Sequence, residues 1–192
     1  MWKRKTIPQL TVECFNPSGS DKNEYLLISQ NEAATIDVAD TYENVAAAIK
    51  KDVVLKYIWI THAHPSRIQR LALIKENFGG TFCLHDWDYD LFKETVPDIE
   101  PDLMIKDEAV FQLGQVDFKP LHTPGHTKGS LCFWAPAAGA LFSGSTLLKG
   151  EYGKIWGPKS MSLMLYSLKR LNYSVYDETI VYPGRGPSTT MG

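Results

Sequence analysis

The sequence has few cysteines and no long apolar run, and both absences narrow the class of protein. Its three cysteines, Cys14, Cys83 and Cys132, are widely spaced and form no Cys-x-x-Cys pair. A disulfide framework is therefore not expected, and a reducing, cytoplasmic setting is. No stretch approaches the roughly 18 apolar residues of a membrane span. The basic N-terminus is not followed by the apolar segment of a signal peptide, so we expect no membrane partner.

The chain also lacks an excess of charge of either sign. Its formal net charge is -2 over 192 residues, which gives no reason to expect a nucleic-acid partner. It contains neither a Walker motif nor a dinucleotide-binding glycine motif, and Gly144-Ser145 does not form a G-x-S-x-G nucleophile elbow. This length suits a single domain, which we place at residues 1–192.

One stretch, residues 57–67, carries the clearest chemical signal. An apolar, β-branched and aromatic run, typical of a buried strand, gives way abruptly to His62 and His64. Pro65 then begins a segment with helical spacing that closes at Gly79-Gly80. A strand, a His-rich loop and a helix bring two imidazoles to the end of a sheet, where α/β folds place their ligand sites.

The alternation of apolar and polar residues, together with the positions of glycine and proline, predicts a mixed α and β protein along the rest of the chain. Strands are predicted at residues 10–15, 24–29, 33–38, 81–84, 109–112, 116–119, 131–135, 140–142 and 179–182, and helices at 41–51, 65–78, 87–94 and 160–171. The first helix is expected to have its N-cap at Asp40 or Thr41. Strands cluster in each half with helices between them, which fits two sheets covered by helices on their outer faces.

Four ordered segments resemble the metallo-β-lactamase superfamily, in particular its glyoxalase II-like branch. Residues 61–67, T-H-A-H-P-S-R, are similar to T-H-x-H-x-D-H, and residues 122–130 are similar to H-T-P-G-H-T-x-G-S. Residues 141–147 and 181–186 are similar to L-F-x-G-D-T-L and V-Y-P-G-H-G, and Asp37 falls where the family has a structural Asp. The resemblance implies an α+β fold, a four-layer αββα sandwich with its site at the sheet edges.

The resemblance implies that His62, His64 and His126 bind a first metal ion. All three ligands of that site are present. Three neutral imidazoles that leave a fourth position open suit tetrahedral zinc, so the expected cofactor is one zinc ion at most. A site without any metal is the alternative.

A second metal site is not expected, because its ligands are replaced. Ser66, Arg67 and Arg185 stand where the family has Asp, His and His, and Ser145 stands where an Asp bridges both metals. Serine is a poor ligand at neutral pH, and arginine cannot lose its proton. The family's acidic neighbour of the attacking water is missing as well.

The replacements instead indicate a site for an anion. If Arg67 and Arg185 point inward, the pocket carries a charge of +2 without a carboxylate, and each guanidinium would repel a zinc ion placed beside it. A phosphate or carboxylate would offset that repulsion, held by Arg67 and Arg185 with Ser66 and Ser145 beside them. Trp156 is a further candidate for the pocket wall, although aromatic residues more often belong to the core.

Two functions follow from these residues, and the sequence alone leaves open whether the protein is an enzyme. The favoured one is a non-catalytic or weakly active descendant that binds a small anionic ligand or a partner protein. The alternative is a mononuclear zinc hydrolase of an anionic ester, thioester or phosphoester. The four replaced ligand positions favour the first.

Overall fold

The structure, a computed structural model, describes residues 2–7, 9–49, 52–107 and 109–192. Two sheets pack face to face. The first contains seven strands in the order β1-β2-β3-β4-β5-β6-β7: β1 (Trp2–Ile7), β2 (Leu10–Phe15), β3 (Glu24–Ser29), β4 (Glu32–Ile36), β5 (Val54–Trp59), β6 (Thr81–His85) and β7 (Leu103–Ile105). It is antiparallel up to β4 and parallel from β4 to β7.

The second sheet contains six strands in the order β13-β12-β11-β10-β9-β8. They are β8 (Phe111–Leu113), β9 (Val116–His122), β10 (Leu131–Ala135), β11 (Ala140–Gly144), β12 (Ile180–Pro183) and β13 (Thr189–Thr190). Only the pair of β11 and β12 is parallel among these strands. Parallel neighbours end at the same sheet edge, so their outgoing loops meet there.

Helices cover the outer faces of both sheets. Those of the first half are α1 (Tyr42–Ala48), α2 (Pro65–Ile68), α3 (Leu71–Phe78) and α4 (Tyr89–Thr95), and α5 (Pro158–Ser174) lies on the second sheet. Separate apolar clusters fill the space under each helical layer, and a third, centred on Trp59, lies between the sheets. The four-layer αββα sandwich is confirmed. None of the described helices is both long and apolar enough to cross a lipid bilayer.

Most predicted elements are present, with physical reasons for the differences. The helix predicted at 65–78 is broken at Gln69 and Arg70 into α2 and α3. Strand β4 ends at Ile36 because Asp37 has a φ of 56° and turns the chain out of the sheet. Thr41 is the N-cap of α1, as predicted, although its hydroxyl donates to Glu24. The predicted end of that helix near Lys51 lies outside the described residues.

Other elements were missed because they are short or lack a period. Strands β1, β7 and β13 have no clear alternating signal, and α5 begins at Pro158 rather than near Ser160. Proline is favoured at the first helical position, because the N–H group that it lacks would have no partner within the helix there.

Glu32, at the start of β4, links the two sheets through hydrogen bonds from both of them. Its Oε2 accepts a hydrogen bond from Gly114 N at 2.7 Å and from Lys56 Nζ at 2.9 Å. These contacts, the Gly114 N–H first and Lys56 next, lower the pKa of Glu32. An acid whose pKa is lowered by folding adds stability above its unfolded pKa, and that stability disappears as pH falls through the folded value.

We therefore expect Glu32→Gln to lower the free energy of unfolding by about 1 kcal/mol at pH 7. The difference from the wild type should vanish as the pH falls below about 4.5 and through the lowered pKa of Glu32. Urea unfolding of both proteins between pH 3 and pH 7 (roughly the range over which a carboxyl titrates) measures this difference in the free energy of unfolding. The exposed Glu43→Gln is the control, and an equal loss at every pH would contradict the assignment.

Candidate metal centre

The loops that leave strands of both sheets meet at one edge of the sandwich. Strand β4 leads to Asp37, and β5 leads to Thr61 and the two histidines that follow it. Asp37 N donates to Trp59 O at 3.1 Å, and Leu131 N donates to Thr61 O at 2.8 Å, so the loops of both sheets are tied together. The chemistry-bearing side chains are thereby gathered from both halves of the chain.

His62, His64 and His126 form one cluster. One nitrogen from each ring lies within 4.8 Å of the others, and among the residues that the structure describes this is the group able to hold a metal ion. Their ring centroids are 4.6–4.9 Å apart, with the planes nearly perpendicular. Tetrahedral zinc with bonds of about 2.0–2.1 Å needs ligand atoms about 3.3 Å apart, so the most distant pair of nitrogens would have to approach by up to about 1.5 Å. His64 Nδ1 already lies 3.0 Å from His126 Nε2.

Hydrogen bonds on the outer side of the cluster select the tautomers that a metal needs. Thr61 Oγ1 donates to Asp37 Oδ2 at 2.7 Å, so it can accept from His62 Nδ1, 2.9 Å away. His126 Nδ1 donates to Lys154 O at 2.8 Å. In both rings the proton is therefore on Nδ1, and the lone pair of Nε2 is left for a ligand.

The three imidazoles are kept neutral. Burial is the first cause of the lowered pKa of each ring, and the charge of Arg67 lowers all three further. The pKa of His126 falls to about 4, despite the opposing bond to Lys154 O, and that of His62 falls well below its ordinary value. Neutral imidazole is the form that binds a metal, so at neutral pH the Nε2 atoms of His62 and His126 need not lose a proton to do so.

All seven site residues predicted from the sequence line one cavity. Its volume is about 360 Å³. Besides the three histidines it is lined by the four residues predicted to bind an anion, Ser66, Arg67, Ser145 and Arg185, and by Asp21, Lys22, Leu148, Gly153, Lys154 and Trp156. Sequence reasoning missed Lys22 and Lys154, for which no motif gave a signal. Trp156, for which the sequence allowed either a pocket or a core position, lines the cavity and donates its indole N–H to His126 O at 3.0 Å.

Arg67 is buried, with 5% of its side chain exposed, and its two terminal nitrogens contact protein groups. Its guanidinium donates to Asn23 O at 3.1 Å and to Gly184 O at 2.8 Å, and Nη1 lies 3.8 Å from Asp37 Oδ2. These contacts join β3, β4 and β12 behind the histidines. Arg67 therefore has the surroundings of an internal ion pair.

Arg185 lies at the mouth of the same cavity and is about half exposed. Its Nε is 3.4 Å from Asp21 Oδ2, and its Nη2 is 3.8 Å from Glu151 Oε1. The expectation of a +2 pocket without carboxylates is wrong, because each arginine has an acidic neighbour. The carboxylate of Asp37 compensates the positive charge of Arg67 inside the protein, and that of Asp21 partly compensates the charge of Arg185 at the surface.

Close backbone packing holds the site loops in place. Gly144 has a φ of 53°, and a Cβ there would lie 2.4 Å from Thr61 Oγ1, the atom that orients His62. A side chain at this position would be strained and would displace Thr61. His122 donates through Nε2 to Lys128 O at 2.8 Å, a contact within the loop that carries His126. His85 is buried, and its Nδ1 accepts a hydrogen bond from Trp87 N at 3.2 Å.

The fold and this cluster define an αββα sandwich with a candidate metal centre at its edge. A family model described as the Metallo-beta-lactamase superfamily matches residues 43–185, and the chain belongs to that superfamily. An uncharacterized protein of Aquifex aeolicus (strain VF5) is 32% identical over 174 residues, which cover 84% of this chain and 82% of that protein.

Relatives with a named activity are longer. A hydroxyacylglutathione hydrolase of Brucella ovis is 30% identical over 151 residues, covering 79% of this chain, but the match spans only 56% of that enzyme. Among solved structures, that of TTHA1623 in a di-iron-bound form has a TM-score of 0.76 and 28% identity, covering 93% of this chain and 94% of its own. The glyoxalase II-like relationship and the fold predicted from the sequence are confirmed.

Proposed function

We propose that this chain binds one divalent metal ion through His62, His64 and His126 and hydrolyses a small anionic ester, thioester or phosphoester. One observation carries the proposal: the outer nitrogens of His62 and His126 are engaged, so their lone pairs face the cluster. The relationship to hydroxyacylglutathione hydrolases supports a hydrolase. A metal held there supplies Lewis-acid chemistry, polarising a carbonyl or phosphoryl oxygen and lowering the pKa of water.

The chain's own residues would perform three tasks. The Asp37–Thr61 pair and the Lys154 carbonyl hold the imidazoles in one tautomer. Burial keeps the imidazoles neutral. At the cavity mouth, Arg185 and Lys154 place positive charge where a substrate enters, and cations there attract and orient an anionic group.

A non-catalytic descendant that binds an anion is the second candidate. It is favoured by the acid–base chemistry, since Asp21 is the only carboxylate among the described residues of the cavity wall and it lies against Arg185. No described carboxylate there is placed as a general base. The sequence alone ranks this candidate first. The ion pair of Arg67 with Asp37 reverses the order, because it removes much of the repulsion that opposed a metal ion.

Metal content and turnover together decide between the two. We expect protein purified without chelator to contain about one equivalent of zinc, iron or manganese. It should cleave a succinyl thioester in a reaction that dipicolinate abolishes and zinc restores. Less than about a tenth of an equivalent of metal would refute the metal-dependent hydrolase. One equivalent of metal without turnover on any anionic ester, thioester or phosphoester would refute the hydrolase and favour the second candidate, a non-catalytic protein that binds an anion.

Arg185→Ala tests the role of the cationic mouth. We expect the variant's kcat/KM for a succinyl thioester to fall about tenfold, mostly through KM, because the arginine holds the remote carboxylate. Its kcat/KM for the uncharged butyryl thioester should be unchanged. The exposed Lys149→Ala, which lies outside the cavity wall, is the control. An equal loss on both substrates would show that Arg185 does not select for charge.

A further inference from the structure

The three histidines come from two loops, and a single buried carboxylate connects those loops. Asp88 lies just after β6 and is 1% exposed. Its Oδ2 accepts from Ala63 N at 3.0 Å, between the first two histidines. The same carboxylate accepts from Thr127 Oγ1 at 2.8 Å and from Gly129 N at 2.7 Å, just beyond His126. It is therefore bonded to the chain next to each of the ligand segments.

The packing around Asp88 leaves little freedom. A Cβ at Gly129 would lie 2.7 Å from Asp88 N and 2.8 Å from both its Cβ and Cγ, so only glycine permits this approach. Thr127 Oγ1 is also 2.7 Å from Ser130 Oγ, which accepts from Thr127 N at 3.0 Å. The loop that carries His126 is thus fixed to the carboxylate by both backbone and side chain.

We propose that Asp88 is a positioning residue of the metal centre: it sets the distance between the His62–His64 pair and His126, and with it the affinity for the metal. This rests on the proposed function, in which the three histidines bind one metal ion. Asp88 is not itself in the cluster of candidate ligands among the described residues. Loss of a partner beyond the ligands typically weakens metal binding 10–100-fold.

The chemistry requires a carboxylate rather than an amide. All three donors, two backbone N–H groups and one hydroxyl, are bonded to the two oxygens of Asp88. An asparagine has nearly the same shape but offers one oxygen and one NH₂ group. In either orientation its NH₂ would face at least one backbone N–H, so one of the two loops must move away.

The test compares Asp88→Asn with Asp86→Asn by cobalt titration of the metal-free proteins. Asp86 is an exposed acid two residues earlier that contacts His85, and among the described residues no hydrogen bond or ion pair joins it to either ligand loop. We expect the Kd of Asp88→Asn for Co²⁺ to rise 10–100-fold, with a changed visible spectrum at saturation. Asp86→Asn should stay within about twofold of the wild type. Circular dichroism shows whether each metal-free variant is folded.

Thr127→Val provides a milder variant if Asp88→Asn does not fold. It removes one donor to Asp88 with almost no change in shape, and we expect Co²⁺ to bind at least threefold more weakly. If folded Asp88→Asn has the cobalt affinity and spectrum of the wild type, the positioning role is overturned and the proposed function remains intact. If Asp88→Asn does not fold, the same result for Thr127→Val has the same consequence. A wild-type protein that binds no cobalt would instead overturn both.

Discussion

Arg67→Ala is expected to lower the free energy of unfolding by about 3–5 kcal/mol, because it removes one partner of a buried ion pair. The substitution leaves the carboxylate of Asp37, 1% exposed, without its cation, and it takes a donor from Asn23 O and from Gly184 O. Burial already raises the pKa of Asp37, with Arg67 acting against that rise. Without Arg67 the carboxyl is driven further towards its protonated form.

Urea unfolding of the metal-free proteins, followed by tryptophan fluorescence, measures this loss. Arg185→Ala is the matched control, because the ion pairs of Arg185 are partly exposed. Its nitrogens lie 3.4 Å from Asp21 Oδ2 and 3.8 Å from Glu151 Oε1. We expect it to cost less than about 1 kcal/mol. A loss for Arg67→Ala no larger than for Arg185→Ala would show that Arg67 does not act as the internal cation of the fold.

His126→Ala is expected to weaken metal binding by more than about a hundredfold, beyond what loss of an outer partner costs. Two imidazoles remain, and neither Ser66 nor Ser145 is an effective substitute ligand at neutral pH. Competition with a chromophoric chelator measures the zinc affinity, and elemental analysis measures the metal retained through purification.

His122→Ala is the control for this prediction. This histidine lies in the same loop, but its ring donates to Lys128 O and is outside the ligand cluster. The variant should retain about one equivalent of metal. If His126→Ala also retained it, the metal would have to be held elsewhere, and the three-histidine centre would be refuted.

The sequence is most informative where chemistry and secondary structure coincide. The run before His62 predicts β5, and the His-x-His pair at its end predicts a site at the sheet edge; both are local patterns. The resemblance of four segments then places His126, Ser145 and Arg185 near that pair, and all of them line one cavity. The four layers follow from the clustering of strands and helices.

Contacts between distant residues could not be predicted in this way. Asp88 bonds to groups 25 and 41 residues away, and its surroundings, H-D-W-D, give no local indication of a bridge between loops. Arg67 pairs with a carboxylate 30 residues earlier in the chain, so its charge could not be judged from its neighbours. Both effects depend on tertiary packing.

The pairing of Arg67 and Asp37 is the physical basis on which we propose one metal ion rather than two. A permanent cation lies beside the three histidines, hydrogen-bonded to fixed carbonyls. A second divalent ion in the same space would have to displace that buried guanidinium and expose Asp37. The di-iron form of TTHA1623 shows that a relative of similar size holds two metals, which makes the comparison informative.

The most direct measurement is a crystal structure of the protein saturated with zinc, with anomalous data collected on both sides of the zinc absorption edge. We predict one anomalous peak, equidistant within error from His62, His64 and His126, with the guanidinium of Arg67 still beside Asp37. Two peaks in the cavity, or a guanidinium moved away to admit a second ion, would contradict the account.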